Sequence, residues 1–359
     1  MSGLAHPPHQ PPRYATLDGL RGAAALMVAL FHLQVSLGAE PVRGYLAVDL
    51  FFGISGFVLA AAYVERFRNG LDSLAFLSLR AMRFYPLYLC GFLLGLIALA
   101  AGTLPDTLGP RDMASASLFG LLMFPNPTSY QLFPLNGPAW SLLFELVINF
   151  ALACWLWKRR SVELAILAAA ALIVLLLLTG APWFLNMGWN WTNLYGGAAR
   201  TTFSFVVGML LYRAVGARTQ RPHAAAALIP MTVLCFAVMP AAHVAIGDLV
   251  FAILACPLIL LAATTTEAPT WARPAMHWLG AMSYALYAIH WPLARLMAPL
   301  LSHLPVAIAA AIYLGTAMLF ASLLEKHVDR PLQKYFKRRL NEQGRLTRSK
   351  DAVAADARV

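Results

Sequence analysis

Apolar residues in this chain come in long blocks rather than in amphipathic stripes or alternating pairs. An α-helix needs about 20 apolar residues to cross a hydrocarbon core roughly 30 Å thick. Blocks that approach or reach this length fall at 17–38, 46–65, 83–101, 139–157, 162–179, 200–215, 224–243, 247–265, 279–300 and 305–325. A further stretch, 113–124, is shorter. Whether it crosses is decided by the basic residues, because Lys and Arg accumulate in short cytoplasmic loops. If it does not cross and the N-terminus is cytoplasmic, Arg66, Arg68, Arg80 and Arg83 share one inner loop and Lys158, Arg159 and Arg160 the next. Arg213, Arg218, Arg221 and Arg273 follow on the same side. If it crosses, the later basic loops are displaced outward. The pattern therefore predicts an all-α polytopic membrane protein of about ten transmembrane helices with both termini cytoplasmic. The 113–124 stretch becomes a re-entrant or interfacial segment of a long outer loop, 102–138.

That loop carries Pro105, Pro110, Pro125, Pro127, Pro134 and Pro138 and reads as a fitted segment. The outer loop 180–199 holds Trp183, Trp189, Asn190, Trp191, Asn193 and Tyr195. Such a set serves either as an interfacial aromatic belt or as a surface on which a sugar stacks and hydrogen-bonds. Residues 1–15 lack the apolar core of a cleavable leader and are expected to form a disordered tail. Residues 16–335 form one transmembrane domain, and 336–359 a basic, disordered cytoplasmic tail.

Composition agrees. The 359 residues are 60% hydrophobic and 12% charged, against about 25% charged in a soluble domain. The net charge of +11 sits in loops and tail, the pattern of topology signals and lipid-headgroup contacts, so no nucleic-acid partner is expected. Cys90, Cys154, Cys235 and Cys256 all lie in apolar blocks without metal-ligand spacing. They read as small hydrophobes, and no metal site is expected. A P-loop and a G-x-S-x-G elbow are both absent, which argues against ATP hydrolysis and serine-nucleophile chemistry.

The candidate chemistry is in the polar residues that the apolar blocks retain, since ionisable groups inside a span are costly and point to function. The first block contains Asp18, Arg21 and His32. Arg21 and His32 are about three helical turns apart, on one face, with some 16 Å between them along the axis. Arg80 and Arg83 at the inner mouth of the third span lie on one side of a helix. Converging guanidinium groups suit the phosphates of an anionic nucleotide-like donor. Counting depth at 1.5 Å per residue puts His32, Glu145 of the fourth span and His290 of the ninth in one layer near mid-membrane. A carboxylate beside an imidazole suggests proton handling. Asp49, near the outer end of the second span, either meets the acceptor or pairs with Arg43, and Gly53, Ser55 and Gly56 lie deeper on the same helix.

Five stretches in order resemble the acyltransferase-3 family of bacterial integral membrane acyltransferases. The matches are Leu17 to Leu26 followed by His32; Ala47 to Phe57, with Ala47 where the family usually has Gly; and Arg80, Arg83, Pro86 and Tyr88. Pro138, Trp140, Ser141, Leu142 and Glu145 form the fourth; Ser283, Tyr284, Leu286, Tyr287, His290 and Pro292 the fifth. The family's closing E-x-P-x-R is not matched from Glu325, which is followed by Lys326, His327, Val328, Asp329, Arg330 and Pro331.

The resemblance implies an O-acyltransferase of the bacterial cytoplasmic (inner) membrane. It moves an acyl group, usually acetyl, from cytoplasmic acyl-CoA to a hydroxyl of an extracytoplasmic or lipid-linked carbohydrate. Acetyl-CoA is then a co-substrate, and no cofactor is permanently bound. His32 is expected as the catalytic residue, with Glu145 beside it. Arg21, Arg80, Arg83, Tyr85 and Ser141 are expected on the donor. Asp18, Asp49, Ser55, Trp140, Ser283, Tyr284 and His290 are expected to line or support the pocket. The alternative reading is a proton-coupled transporter or flippase for an anionic solute, with His32, Glu145 and His290 as its relay. The absence of a visible inverted repeat weighs against it.

Overall fold

The protein was analysed as a computed structural model, which describes residues 14–104, 109–178, 185–216, 221–223, 226, 229–230, 244–336 and 338. The expected tails at 1–15 and 336–359, and the expected span 224–243, lie almost wholly outside the described residues.

The apolar blocks are helices: α1 Ala15–Ser36, α2 Ala47–Arg68, α3 Ser73–Ala100, α4 Pro110–Leu121, α5 Ala139–Cys154, α6 Ser161–Leu177 and α7 Leu194–Val215. They continue with α8 Val244–Val250, joined through a π-turn to α9 Cys256–Thr265, then α10 Arg273–Leu301 and α11 Val306–Leu324. The only strands among the described residues are the two-residue parallel pair Arg221–Pro222 and Thr266–Glu267.

Among the described residues, six helical stretches are long and apolar enough to cross a membrane: Ala15–Ser36, Gly44–Arg68, Ser73–Ala100, Trp191–Val215, Ile246–Thr265 and Val306–Phe336. Of the ten expected, the span 224–243 lies almost wholly outside the described residues. Two of the others, Ala139–Cys154 and Ser161–Leu177, are apolar but short. At 1.5 Å per residue the 16 residues of α5 make about 24 Å, less than the ~30 Å core. α10 is long enough, with 29 residues, but it carries His277, Ser283, Tyr284, Tyr287 and His290, and Arg295 nearer its far end. Most of its polar positions face other helices, so lipid compatibility does not govern them. α4 has 12 residues, about 18 Å, which is too short to span. It lies against α3, where the Tyr88 hydroxyl donates to the Gly120 carbonyl and Tyr85 to that of Leu121.

The site is held by α1, α3 and α10, which run in the same direction. Asp18 meets His277 at one end of the α1–α10 pair, and His32 meets His290 further along. Close approach is possible because Gly22 faces Leu279 and Gly280 faces Asp18, where a Cβ would collide. Pro86, Pro292 and Pro299 interrupt this frame, and side chains from elsewhere answer the first two. Pro292 offers no N–H to the carbonyl of Ala288, and Asn136 Nδ2 donates to it instead at 3.0 Å. Pro86 likewise leaves the carbonyl of Met82, which accepts from Gln333 Nε2 at 3.4 Å. The outer segments also lock together. The Leu132 amide donates to the Trp189 carbonyl at 3.0 Å, and the Trp191 indole N–H to Asn126 O at 2.9 Å. The 102–138 and 180–199 segments are thus mutually fitted where described.

Candidate active site

A cavity of about 160 Å³ opens between α1, α2, α3, α5 and α10, room for roughly ten water molecules at ~10–15 Å³ each. Arg21, Arg80 and Arg83 line the end at which α1 begins. Each arginine is tied to a carboxylate. Arg21 bonds Asp18 at 2.6 Å, Arg83 bonds Asp329 at 2.8 Å, and Arg80 lies 3.5 Å from Glu145. Asp18 in turn meets His277 Nδ1 at 2.9 Å. The Arg80 guanidinium also covers the ring of Phe84, 4.7 Å from its centre, and Arg83 that of Tyr284 at 5.8 Å. These contacts aim three long cationic side chains at one mouth, where bidentate binding of phosphate is geometrically favoured.

Further in, the walls turn apolar, with Val48, Phe51, Phe52, Ile54, Val58 and Leu142. Ser141, Tyr287 and Ser283 supply hydroxyls. The Ser141 and Tyr287 hydroxyls are 2.6 Å apart and both lie within reach of the Pro138 carbonyl, at 3.0 and 3.3 Å, so one hydroxyl donates to the other and the second donates to the carbonyl. Phe51 and Tyr287 meet edge to face, 5.4 Å between ring centres, and both line the inner part of the cavity. Behind them stand His290, 5.3 Å from Tyr287, and His32, 5.1 Å from His290.

The expected partnership of His32 with Glu145 is not what the structure shows. Glu145 accepts from Ser55 and sits beside Arg80, while the ring of His32 packs on Phe31 and His290. The reason is depth. Ser141 is level with Tyr287, so Glu145, one turn further along α5, falls near Tyr284. That is about 9 Å along the helix axis from His290. The count from the outer surface fails because α5 does not begin there. The segment before it enters the bundle, with Asn136 buried against α10.

Other expectations are also corrected. Tyr85 does not line the cavity, and its hydroxyl bonds α4. Two residues past Arg83 is about 200° round a helix, which turns it away. Asp49 neither meets the cavity nor pairs with Arg43. It is buried with Arg200, each 1% exposed, at 2.7 Å, and accepts from Ser204 at 3.3 Å. Arg43 instead lies 3.7 Å from Asp248. Trp140 is buried against Phe52, Phe144 and the Arg200 guanidinium, outside the cavity. Ser55, Ser283 and Tyr284 do line it.

Sequence reading assigned no role to Phe51, Tyr287, His277, Arg200 or Asp329. Tyr287 was within reach, one helical turn before His290. Asp329 stands two residues before Pro331, the spacing of the acidic residue and proline sought from Glu325. A π-turn over Glu325–Asp329 carries it onto Arg83. Such turns insert one residue and redirect side chains, often at functional sites.

The family model described as an acyltransferase domain matches residues 14–326, which covers every element of this cavity but Asp329. The chain belongs to the acyltransferase-3 family. Among curated proteins of this kind, Protein 2 in the picA locus of Rhizobium radiobacter is 38% identical over 189 residues, covering 48% of this chain and 96% of that protein. The acyltransferase MdmB of Streptomyces mycarofaciens is 31% identical over 157 residues, 40% of this chain and 39% of its own. The exopolysaccharide production protein ExoZ of Rhizobium meliloti is 27% identical over 147 residues, 41% of this chain and 45% of its own. The chain therefore spans under half the length of these last two. No solved structure matches. The protein is a multi-pass membrane acyltransferase by family and by its spanning helices.

Proposed function

We propose that the protein is an O-acyltransferase of the bacterial inner membrane. It carries an acyl group, acetyl in the first instance, from cytoplasmic acyl-CoA to a hydroxyl of an extracytoplasmic or lipid-linked carbohydrate. The observation that carries this reading is the convergence of Arg21, Arg80 and Arg83 on the mouth of one cavity whose interior is apolar. A phosphate-bearing donor with a long, narrow arm fits that gradient from charge to hydrocarbon. Relatives named for acyl transfer and for exopolysaccharide production support it.

In this reading the mouth is cytoplasmic. The three guanidinium groups take the CoA phosphates, and Asp18, Glu145 and Asp329 hold them in place when the donor is absent. The pantetheine arm follows the apolar wall, and the thioester comes to rest near Ser141 and Tyr287. To reach His32 the acyl carbon has to pass the Phe51–Tyr287 ring pair. There His32 takes the proton of the acceptor hydroxyl as its oxygen attacks the thioester carbon. The C–O bond forms, the C–S bond breaks, and the CoA thiolate recovers a proton.

The reading is tested by mass spectrometry of cell-surface glycans from cells with and without the protein. Loss of an ester-linked acyl group in its absence supports the proposal, and unchanged glycans oppose it.

A further inference from the structure

His290 is completely buried at the centre of α10, and its two ring nitrogens have different fates. Nδ1 lies 2.6 Å from the carbonyl oxygen of Tyr287. A carbonyl can only accept, so Nδ1 carries a proton and donates it. In the neutral ring Nε2 is then a bare lone pair. It is buried and has no hydrogen-bond partner. Buried acceptors are ordinarily satisfied, so one left open in a fixed ring needs an explanation.

The ring is fixed from several sides. The Tyr313 hydroxyl of α11 donates to the His290 carbonyl at 2.7 Å. Asn136 holds the neighbouring Ala288 carbonyl released by Pro292. The ring that faces His290 across the helix interface is that of His32, with centres 5.1 Å apart and planes inclined by 42°. An N–H···N bond between two imidazoles spans about this much: two ring radii of roughly 1.1 Å and a donor–acceptor distance of about 2.9 Å. His32 is half-buried and its ring makes no hydrogen bond to a described residue. A modest turn of that ring would aim one of its N–H groups at the open lone pair, and catalytic hydrogen bonds commonly tighten only when substrate is bound.

We infer that His290 is the positioning residue for His32: the open Nε2 lone pair of His290 accepts a hydrogen bond from one ring nitrogen of His32, leaving the other free to take the proton of the acceptor hydroxyl. This rests on the acyltransferase reading above and assigns to an imidazole the part that a carboxylate plays in other catalytic pairs. In the reaction the acceptor proton moves to His32, which becomes imidazolium. Its second N–H then points at the His290 lone pair and not into hydrocarbon. The proton leaves with the CoA thiol, and His290 begins and ends neutral.

Two near-isosteric variants separate this role from a structural one. Asn places a donor where Nδ1 was and nothing where Nε2 was. Gln places an acceptor near Nε2 and gives up the bond to Tyr287. With radiolabelled acetyl-CoA offered to membrane vesicles bearing the whole protein and the cell's own glycans, His290→Asn should lose about 10–100-fold in kcat. His290→Gln should retain most of it, and the KM for acetyl-CoA should stay unchanged in both. Equal activities, or Asn outperforming Gln, would overturn the inference. A second arm does not depend on turnover. In ring-¹⁵N-histidine protein, solid-state NMR compared with His290→Gln should show His290 as the Nδ1–H tautomer with an unprotonated Nε2, and an Nε2–H tautomer would overturn it. Failure of the unaltered protein to transfer any label would defeat the acyltransferase reading itself, whereas an active protein with an indifferent His290→Asn would defeat only the pair.

Discussion

Glu145 lies 3.5 Å from Arg80 and accepts from Ser55, and all three line a cavity that His32 does not reach. In the proposed reaction the carboxylate therefore belongs with the arginines that take the donor and not with His32. Breaking a buried ion pair from one side leaves an uncompensated charge and costs up to about 3–5 kcal/mol. Glu145→Gln keeps a partner for Ser55 and strands the Arg80 cation. The empty variant should melt earlier than the parent, and acetyl-CoA, whose phosphates resupply the negative charge, should raise its melting temperature by more than it raises the parent's. A thermal-shift series with acetyl-CoA reads this directly, and an equal or smaller ligand shift in the variant would contradict it.

Arg83 depends on Asp329, at 2.8 Å, in the same way but in a wetter place, a third of the Arg83 side chain being exposed. Exposed pairs are worth about 0.2–1 kcal/mol, so Asp329→Asn should raise the KM for acyl-CoA about two- to fivefold with little change in kcat. Initial-rate kinetics separate the two constants. A loss confined to kcat would place Asp329 elsewhere in the reaction.

The Asp49–Arg200 pair makes a structural prediction. Arg200 also donates to the backbone carbonyls of Tyr45, Leu185 and Met187, so it pins the segment after residue 184 onto the first turns of α2 and α7. Asp49→Ala should destabilise the protein by about 3–5 kcal/mol, seen in thermal unfolding in detergent. Asp49→Leu combined with Arg200→Met should recover part of the loss. If Asp49→Ala has the parent's stability and only weaker acceptor use, Asp49 contacts the acceptor instead.

Phe51 lines the inner part of the cavity against Tyr287. Its removal should lengthen the space open to the acyl chain. At ~0.8 kcal/mol per buried methylene, Phe51→Ala should shift the preference for propionyl- over acetyl-CoA about fourfold toward the longer chain. Competition between the two donors, read by mass spectrometry of the product, tests this, and an unchanged ratio would place the acyl pocket elsewhere.

Much of this arrangement is visible in the sequence. The polar and basic pattern marked Arg21, Arg80 and Arg83, the family resemblance added Ser55, Ser141, Ser283 and Tyr284, and the structure brings all seven to one cavity. What was not visible was relative height. Counting residues from the ends of apolar blocks assumes that every helix starts at the membrane surface. α5 starts lower because Asn136 is drawn in to answer the carbonyl that Pro292 frees, and no local pattern signals that. Pairings across the bundle were equally hidden. Asp49 had Arg43 six residues away, yet it found Arg200, 151 positions along the chain. Asp329 reached Arg83 only through a π-turn. A block such as 279–300, whose polar positions face other helices, is selected for the interior as well as for lipid.

In the proposed reaction the first helix joins a donor mouth at Arg21 to a proton-accepting centre at His32. The most direct measurement compares the parent with His32→Ala in the same membrane vesicles, following label from acetyl-CoA into glycan alongside the affinity of the purified proteins for CoA. A positioned general base contributes about 10²–10⁴-fold. The account predicts that transfer falls by at least about 100-fold while CoA binding is kept. Undiminished transfer by His32→Ala would contradict it.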